Sequence, residues 1–589
     1  MGSRFGRFFT SAAALAGAVA LASCGGGGGA TKGGFASGAP VKGKKGGTLT
    51  MLSNGDVDYI DPGAAYYQFS FIFMYQTQRP LYSYKPDDDR SAVPDLAAGP
   101  AKISDGGRTV TVTIRPNVRF SPPVNRAATS QDVKYAIERG FNPTVANGYA
   151  GAYFGTVVGA KTAKGGPIAG IQTPDSHTIV FKLTKPEAST IIGALSLPLS
   201  APVPPEYARK LDQANPSQYG THQVATGPYM VQNDKSGKAI GYQPGKRIVL
   251  VRNPNWDPGT DYRPAYLDSI VVSEGNSDPI AASRRILSGS SLVNGQADFN
   301  VPPQTIKQIS QGSASQKKQF VAGTSTGRVR YVSLNTTIKP FDNADVRKAI
   351  TAAMDRNALR QKMGGPLAGD IPTHFLPPDI PGFSEAGGLS GPGDDFLKSP
   401  TGNLQLAQSY MRKAGYPSGR YTGGQSFLMV ADNSGPTKDA AQVVQAQLGA
   451  LGFKITPRFV THDSMYTKFC NVPKQKVPIC PSTGWQKDFP DPESMLDPTF
   501  NGENIVPVNN SNWPQLNVKS INATMNRDAP IIDPTQRAKA WADVDKLITA
   551  EAPGVPWLWD KGMGIESKNV QGVMNKFNAA WDLSFTSLK

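Results

Sequence analysis

Strand patterns and helix patterns alternate along most of this 589-residue chain. Strands are indicated where apolar residues recur at every second position, as in 109–115 (TVTVTIR), 177–183 (HTIVFKL), 247–253 (RIVLVRN) and 328–335 (RVRYVSLN). Because strands and helices are interleaved rather than segregated, all-helical and all-β folds are excluded. The chain is therefore predicted to have a mixed fold of the α/β or α+β class.

The sequence also predicts where several helices begin and end. Asn343 is placed to cap a helix whose apolar residues recur every three or four positions, and Pro534 after Asp533 begins another. Two further amphipathic stretches end at Gly415 and Gly452, because glycine readily adopts the conformation that terminates a helix.

The first 24 residues have the features of a bacterial export signal. Two arginines precede an apolar run, 8–22, which is too short to span about 30 Å of hydrocarbon comfortably. Residues 21–24 (LASC) match a lipobox, which predicts that 1–23 are removed and that the thiol of Cys24 is lipidated. The alternative is an ordinary signal peptide in which Cys24 occurs by chance.

The segment that follows the leader, 24–47, is rich in glycine and has almost nothing to bury. We expect it to be a flexible tether that holds a folded body on the extracytoplasmic face of a bacterial cell membrane. No later segment of the sequence is long and apolar enough to suggest a membrane span.

The formal net charge of +16 raises the question of nucleic-acid binding. The lysines and arginines are scattered, however, and form neither a basic stripe nor a motif in which basic and aromatic residues alternate. A mildly basic surface close to anionic lipid explains the charge. We expect no nucleic-acid partner.

Cys470 and Cys480 are the remaining cysteines. Their expected location outside the cytoplasm and their short separation favour a disulfide bond between them. Two buried free thiols are the alternative. The spacing does not fit a metal site, with only His462 nearby.

Motifs for catalysis are absent apart from one partial match. Residues 323–327 (GTSTG) fit G-x-S-x-G, but a nucleophile elbow needs a strand before it and a helix after it. Here 328–335 is predicted to be a strand, so we expect a loop or hairpin turn at 323–327 and no catalytic role for Ser325. No catalytic residue is predicted.

Metal sites are not predicted either. Asp56, Asp58 and Asp61 lack the glycine and the glutamate that a calcium loop needs at its sixth and twelfth positions. The four histidines lie in separate regions of the chain. No cofactor is expected.

A series of short motifs follows in order along the chain. They are GGTLTML at 46–52, IDP at 60–62, DGGRTVTVTIRPNVRF at 105–120, TSQDVKYAIER at 129–139, TGPY at 226–229, NPNW at 253–256, GQADF at 295–299, FDNADVRKAITAAMDRNAL at 341–359, KAGYP at 413–417, GWQKDFPDP at 484–492 and EAP at 551–553. Together they make residues 46–589 resemble the family 5 extracellular solute-binding proteins, the dipeptide, oligopeptide and nickel group of ABC importers. One departure is 121–129 (SPPVNRAAT), where relatives show Ser-Asp-Gly-x-Pro.

The resemblance implies an α/β, two-lobed fold of the periplasmic-binding-protein type (type II, Venus flytrap) with an extra inserted domain. We expect the first lobe at 48–90, 223–330 and 556–589, the inserted domain at 91–222, and the second lobe at 331–555. Ligand is expected between the lobes, where closure makes contacts on both sides. The implied partners are the permease subunits of an ABC importer, and the chain is expected to be a monomer.

The resemblance also implies a ligand site. Asp488 matches an aspartate that pairs with the α-ammonium of a bound peptide, and Trp485 matches a pocket-lining ring. The stretch 66–69 (YYQF) matches a ligand-lining position, which gives Tyr67 and Phe69. The alternatives are a turn carboxylate for Asp488, a core ring for Trp485, and hinge or core packing for 66–69.

The predicted function is capture of peptides by a lipid-anchored binding protein that is not an enzyme. The same fold binding a non-peptide solute, an oligosaccharide or a metal chelate, is the alternative. An exported hydrolase is a remote alternative, and it would require a preformed pair of nucleophile and base.

Overall fold

The computed structural model describes residues 34–55, 57–289 and 295–589. The leader, Cys24 and the beginning of the tether lie outside these residues, so lipidation of Cys24 stays a prediction. Within the described part of the chain, no helix combines the length and apolar character needed to cross a bilayer.

The first sheet gathers strands from separated parts of the sequence. In spatial order its strands are Gly295–Asp298, Thr48–Ser53, Ser269–Ser273, Arg247–Arg252 and Tyr229–Val231, with Tyr242–Gln243 also paired to Arg247–Arg252. Thr48–Ser53 is parallel to both of its neighbours. The helices that accompany this sheet are Gln68–Thr77, Pro279–Ser288, Pro303–Ser310 and Ala314–Lys317.

The second sheet is antiparallel and comes from one stretch of sequence, inside the predicted inserted domain. Its strands, in spatial order, are Lys102–Ser104, Thr109–Thr113, Thr178–Lys182 and Ile171–Asp175. Its helices are Ser130–Gly140, Ala150–Phe154, Ala188–Ala194 and Pro205–Ala208. Thr129 and Asp132 form a capping box at the start of Ser130–Gly140, as their spacing allows.

The third sheet belongs to the predicted second lobe. Its strands, in spatial order, are Gly369–Asp370, Gly554–Ile565, Phe320–Leu334, Ile479–Gln486, Ser426–Asp432 and Lys454–Val460. Its helices are Ala344–Ala353, Arg356–Met363, Asp395–Lys398, Leu404–Lys413, Gly435–Ala450, His462–Ser464, Pro492–Phe500, Lys519–Asp528 and Pro534–Glu551, and His462–Ser464 continues as the π-helix Met465–Cys470. The predicted cap Asn343 is confirmed, since its side chain accepts a hydrogen bond from a backbone N–H in the first turn of its helix. The predicted start at Pro534 is also confirmed, and the side chain of Asp533 caps that helix.

Short strand pairs complete the fold. Tyr82–Ser83 pairs with Val93–Pro94, and Val570–Gln571 pairs with Ser587–Leu588 near the carboxyl end of the chain.

Two long strands run from the third sheet towards the first sheet, in the predicted first lobe. Phe320–Leu334 and Gly554–Ile565 pair along their length, and their far ends, Phe320 and Ile565, lie in a core cluster with Leu52 of the first sheet. The predicted domain boundaries after 330 and after 555 fall within these strands. The register shifts between Ala322 and Val329, which places the irregular pairing where the two lobes join.

The loop or turn predicted at 323–327 is wrong, because these residues lie inside the strand Phe320–Leu334. Gly, Ser and Thr favour turns locally, but pairing with Gly554–Ile565 overrides that preference and absorbs the irregularity as register shifts. The strand continues where an elbow would begin a helix, so the motif has no elbow geometry. The hydroxyl of Ser325 donates to Asp379.

A buried ion cluster joins two of the motifs that carry the resemblance. The guanidinium of Arg139 is 2.7 Å from Asp61 and 2.6 Å from Asp212. Asp61 belongs to the early IDP turn, whereas Arg139 is the last residue of the TSQDVKYAIER motif and lies in the last turn of the helix Ser130–Gly140. The cluster therefore fixes the inserted domain against the first lobe.

Candidate functional site

Asp488 lies just after the strand Ile479–Gln486, where the second lobe meets the inserted domain. Only 8% of the residue is exposed, and the hydroxyl of Tyr153 donates a hydrogen bond to its carboxylate. Among the described residues, no Lys, Arg or His forms an ion pair with it. Burial raises the pKa of Asp488 to about 7, although the hydrogen bond from Tyr153 acts in the opposite direction.

The residue after Asp488 anchors this loop in the inserted domain. Phe489 is buried in the core cluster of that domain, with its ring 5.1 Å from the ring of Tyr153. Gly193 lies against the same ring, and a Cβ at this position would collide with it. The position of Asp488 is therefore set by packing across the boundary between two domains.

The residue before Asp488 does not neutralise it. Lys487 is buried and forms an ion pair with Asp379, and its ammonium lies 5.2 Å from the ring centroid of Phe577. The charge of Lys487 is thus balanced within the second lobe, and the carboxylate of Asp488 is left with a hydroxyl as its described side-chain partner.

Aromatic rings surround Asp488 from three directions. Trp485, 6% exposed, comes from the second lobe, Tyr66 from the first lobe, and Tyr149 and Tyr153 from the inserted domain. Tyr66 lies 6.2 Å from Trp485 and 5.3 Å from Tyr149, measured between ring centroids. The indole N–H of Trp485 donates to the backbone carbonyl of Ser494 at 2.7 Å, which fixes the ring. Flat apolar faces of this kind suit a small organic ligand.

Asp58 holds the loop that carries Tyr66. Its carboxylate accepts backbone hydrogen bonds from Tyr66 at 2.7 Å and from Tyr67 at 3.0 Å, and a further one from the hydroxyl of Ser70. Asp58 therefore positions aromatic residues at the start of the helix Gln68–Thr77.

The other two predicted ligand residues have different surroundings. The hydroxyl of Tyr67 donates to Asp463 at 2.9 Å and its ring lies edge-on to His462, so Tyr67 bridges the first and second lobes. Phe69 packs edge-on against Phe73, 4.9 Å away, at the core of the first lobe. The structure thus brings Asp488 and Trp485 together around Tyr66, whereas the described contacts of Tyr67 and Phe69 lie elsewhere, and their ligand roles stay predictions.

Several residues of this cluster were not identified from the sequence. Tyr149 and Tyr153 belong to the inserted domain, more than 300 positions away from Asp488, and carry no motif of their own. A weak signal exists, because Tyr149 and Tyr153 are four positions apart and so share one face of a helical turn.

Cys470 and Cys480 are joined by a disulfide bond, with their Cα atoms 6.4 Å apart. Both residues are buried in the core cluster that also contains Trp485. The bond therefore ties the π-helix Met465–Cys470 to the strand that leads to Asp488.

Two cavities lie outside the aromatic cluster. One, of about 440 Å³, is formed mainly by the helices Pro279–Ser288 and Pro303–Ser310 of the first lobe. The other, of about 20 Å³, is lined by polar and aromatic side chains that include Asp582 and Phe577, and could hold about one water molecule. Neither is lined by Asp488. In the parts of the chain that the structure covers, no group of three or more His, Cys, Asp or Glu side chains is arranged to hold a metal ion.

A family model and the sequences of known proteins both match this chain. Residues 91–506 match the model for bacterial extracellular solute-binding proteins, family 5 Middle. Heme-binding protein A of Haemophilus influenzae is 24% identical over 477 residues, which cover 80% of this chain and 80% of that protein. Glutathione-binding protein GsiB of Salmonella typhi is 26% identical over 497 residues, covering 82% of this chain and 84% of that protein.

The fold is also shared with solved structures. The structure of clavulanic acid biosynthesis oligopeptide binding protein 2 superposes with a TM-score of 0.78 at 26% identity, covering 93% of this chain and 96% of that one. The similarity therefore extends over nearly the whole chain rather than over one domain.

Proposed function

The chain belongs to the family 5 bacterial extracellular solute-binding proteins, and on that basis we propose that it captures short peptides with a free α-ammonium group between its lobes. The bound peptide is then delivered to the permease subunits of an ABC importer. The curated and solved relatives are binding proteins for heme, glutathione and oligopeptides.

The observation that carries the proposal is the state of Asp488. A carboxylate that is 8% exposed, with no ion-pair partner among the described residues, is unfavourable when charged. Burial accordingly raises its pKa to about 7. An ammonium group placed against Asp488 would restore the charged form, and one such contact contributes about 1.5–3 kcal/mol.

The rings around Asp488 supply the rest of the pocket. Trp485, Tyr66 and Tyr153 come from three different parts of the chain, so a ligand between them touches the second lobe, the first lobe and the inserted domain together. Such contacts exist only when the parts are closed on one another, which couples ligand binding to closure.

An uncharged oligosaccharide fits this site less well than a peptide. The apolar faces of its sugar rings could stack on Trp485 and Tyr66, but an uncharged sugar would leave Asp488 without a cation. The unbalanced carboxylate therefore favours a ligand that brings a positive charge.

A lipid anchor and a tether complete the proposal. Lipidation at Cys24 would hold the protein on the extracytoplasmic face of the membrane, and the Gly-rich tether would let the folded body reach a permease. The protein acts in this proposal as a binding protein and not as an enzyme, in line with the relatives that it matches. Ser325 lies in a strand and has no elbow geometry.

The test is retention of a defined peptide mixture. The purified protein is stripped of carried-over ligand and mixed with an equimolar library of di- to pentapeptides, and retained peptides are identified by mass spectrometry after gel filtration. Peptides with a free amino terminus should be retained, and N-acetylated peptides should not. If neither the peptides with a free amino terminus nor the N-acetylated peptides are retained, the peptide proposal is contradicted.

A substitution tests the residue. Asp488→Asn should weaken binding of a retained peptide by about one to two decades, on the same 1.5–3 kcal/mol. The matched control is Asp268→Asn, because the side chain of Asp268 is 62% exposed at the surface and should not affect affinity. Unchanged affinity in Asp488→Asn would exclude this role for Asp488.

A further inference from the structure

The described chain joins the fold beside three helices of the predicted first lobe. Phe35 is 7% exposed, and its ring lies 5.1 Å from the ring of Phe320. Gly34 lies against the side chain of Lys317, since a Cβ on Gly34 would be 3.8 Å from Cδ of that lysine. The preceding residues of the chain, 24–33, therefore connect to the folded body next to Lys317.

This connection is close to the predicted anchor. Cys24 precedes Gly34 by ten positions, and an extended chain spans at most about 3.6 Å per residue. A lipid on Cys24 would thus keep Gly34 within about 36 Å of the bilayer surface. The surface of the first lobe around Gly34 is therefore the part of the body that an anchored protein holds closest to the membrane.

The helices Pro279–Ser288 and Pro303–Ser310 each bury one side in the core cluster that contains Phe35. Because only one side of an amphipathic helix faces the core, the other sides remain in solvent. These sides meet at the cavity of about 440 Å³, which Gln316 of the helix Ala314–Lys317 also lines. The three helices therefore present one continuous outer surface. The buried apolar residues of the first two helices are Ala282, Ile286, Ile306 and Ile309.

This outer surface is basic. Between 278 and 318 the sequence has five lysines and arginines but only two acidic residues, Asp278 and Asp298. Asp278 caps the first helix by accepting backbone hydrogen bonds, and burial raises the pKa of Asp298 to about 7. Among the described residues, none of the five cations has an ion-pair partner. They are Arg284, Arg285, Lys307, Lys317 and Lys318, all exposed except the half-buried Lys317, and we call them the basic surface.

The cavity between the helices opens within the basic surface. Arg284 lines it together with the side chains of Gln304, Gln308 and Gln316. The described residues that line this cavity include no carboxylate. A phosphate group that entered it would meet a guanidinium, which holds phosphate oxygens through parallel hydrogen bonds, and several side-chain amides.

We infer that the basic surface docks on the anionic phospholipid headgroups of the membrane that carries the anchor. A membrane is favoured over an acidic protein as the partner, because the cations lie around the point where the chain leads to Cys24. The geometry rests on the lipid anchor of the proposed function, and the inference goes beyond it by naming a second, noncovalent contact with the bilayer. Each Lys or Arg close to an anionic leaflet strengthens the attraction by about fivefold.

Vesicle sedimentation tests the basic surface without the anchor. The chain 24–589 with Cys24→Ser has no thiol to receive a lipid, and it contains every described helix and strand. It is mixed at low ionic strength with phosphatidylcholine vesicles, either pure or with about 30% phosphatidylglycerol. Partitioning onto the anionic vesicles should be about 100-fold stronger, on about fivefold for each of several cations. About 0.5 M NaCl should release the protein, because salt screens exposed charges.

Charge-matched variants locate the contact. The double variant Lys307→Gln, Lys318→Gln should weaken partitioning onto anionic vesicles by about 10- to 25-fold. The control Lys102→Gln, Lys161→Gln removes two exposed lysines of the inserted domain, and so the same net charge, and should bind like the parent chain. Thermal unfolding shows whether each variant is folded. Arg284→Gln, with an expected loss of about fivefold, is the second variant if the first double variant is not.

Each outcome decides one statement. Equal sedimentation with both kinds of vesicle would overturn the docking and leave the peptide proposal standing, since peptide retention is measured without vesicles. Equal losses in the two double variants would show that overall charge attracts the protein, and would overturn the basic surface. Binding to anionic vesicles that survives about 0.5 M NaCl would overturn its electrostatic origin. Lipidation of Cys24 is measured separately, by mass spectrometry of the protein from cells, so failure of the anchor and failure of the basic surface are distinguishable.

Discussion

The hydroxyl of Tyr153 donates a hydrogen bond to the carboxylate of Asp488, across 335 positions of sequence. It connects the inserted domain to the second lobe at the centre of the candidate site. Burial raises the pKa of Asp488, and this hydrogen bond acts in the opposite direction. The chemistry of Asp488 is therefore controlled from a different domain.

Substitution of Tyr153 tests this control. Tyr153→Phe should raise the pKa of Asp488 further, shift the acid side of the pH–affinity profile to higher pH, and weaken peptide binding at neutral pH by about 2- to 10-fold. The control is Tyr410→Phe, which removes another Tyr–Asp hydrogen bond of 2.6 Å, to Asp395, between two helices of the second lobe. A profile that does not move in Tyr153→Phe would contradict the proposed control.

Peptide binding should depend on pH with a definite sign. Because the pKa of ligand-free Asp488 is about 7, an ammonium ligand must displace a proton at lower pH. Affinity is expected to rise by up to about tenfold per pH unit from about pH 5 to 7, and to fall above about pH 8 as the α-amino group of the peptide loses its proton. Calorimetry over this range should show the rise, and Asp488→Asn should abolish it.

A second buried carboxyl, that of Glu493, lies where the second lobe meets the inserted domain. Burial raises the pKa of Glu493, against the opposing effect of Arg537, with which it forms an ion pair. Glu493 also accepts a hydrogen bond from Thr190 of the inserted domain at 2.7 Å. Glu493→Gln is therefore the matched control. If Asp488 is responsible for the rise of affinity between about pH 5 and 7, Glu493→Gln should leave that rise unchanged.

The same pKa shift has the opposite sign for the stability of the ligand-free protein. The carboxyl of Asp488 holds its proton up to about pH 7 when folded, whereas its ordinary value is 3.8. Its contribution to stability is therefore complete below about pH 4 and is lost as the pH rises through 7. Chemical denaturation at several pH values should show that the free energy of unfolding falls less between about pH 4 and 8 in Asp488→Asn than in the wild-type protein.

The ion cluster of Arg139 should be important for stability. Removal of the Arg139 guanidinium leaves Asp61 and Asp212 buried without a cation. Breaking a buried ion pair in this way costs about 3–5 kcal/mol. Arg139→Leu should lower the free energy of unfolding by that amount in chemical denaturation. Arg90→Leu, at a side chain that is 72% exposed, should change it by less than about 1 kcal/mol. A similar small effect for both would contradict the structural role of the cluster.

The disulfide bond should stabilise the second lobe. It closes a loop with a sequence separation of 10, for which the chain-entropy model gives about 3 kcal/mol at most. The double variant Cys470→Ser, Cys480→Ser should lose stability within that limit and should no longer respond to reductant. If full reduction of the wild-type protein leaves its stability unchanged, the bond has no such role.

Much of the fold is predictable because local patterns agree with it. The spacing of Val346 and Ile350 predicts a helix, and Asn343 caps it as expected. Gly415 and Gly452 follow the helices that end at Lys413 and Ala450, and both have positive φ angles, 93° and 90°. These features depend on neighbours in sequence, which a single chain displays directly.

The errors and omissions have one physical cause, which is long-range packing. The turn predicted at 323–327 is a strand because Gly554–Ile565 pairs with it. Tyr153 could not be chosen from the sequence, since its significance depends on Asp488, a residue of another domain that lies beside it. The roles of Asp488 and Trp485 are predicted from a family resemblance and not from a local pattern.

The most direct test of the account measures the coupling between Asp488 and the ligand's ammonium group. One retained peptide and its N-acetylated form are titrated calorimetrically into the wild-type protein and into Asp488→Asn. Removal of either charge should weaken binding by about one to two decades, and removal of both should cost little more than removal of one. If the two losses simply add, the ammonium group and Asp488 do not interact, and the central claim is contradicted.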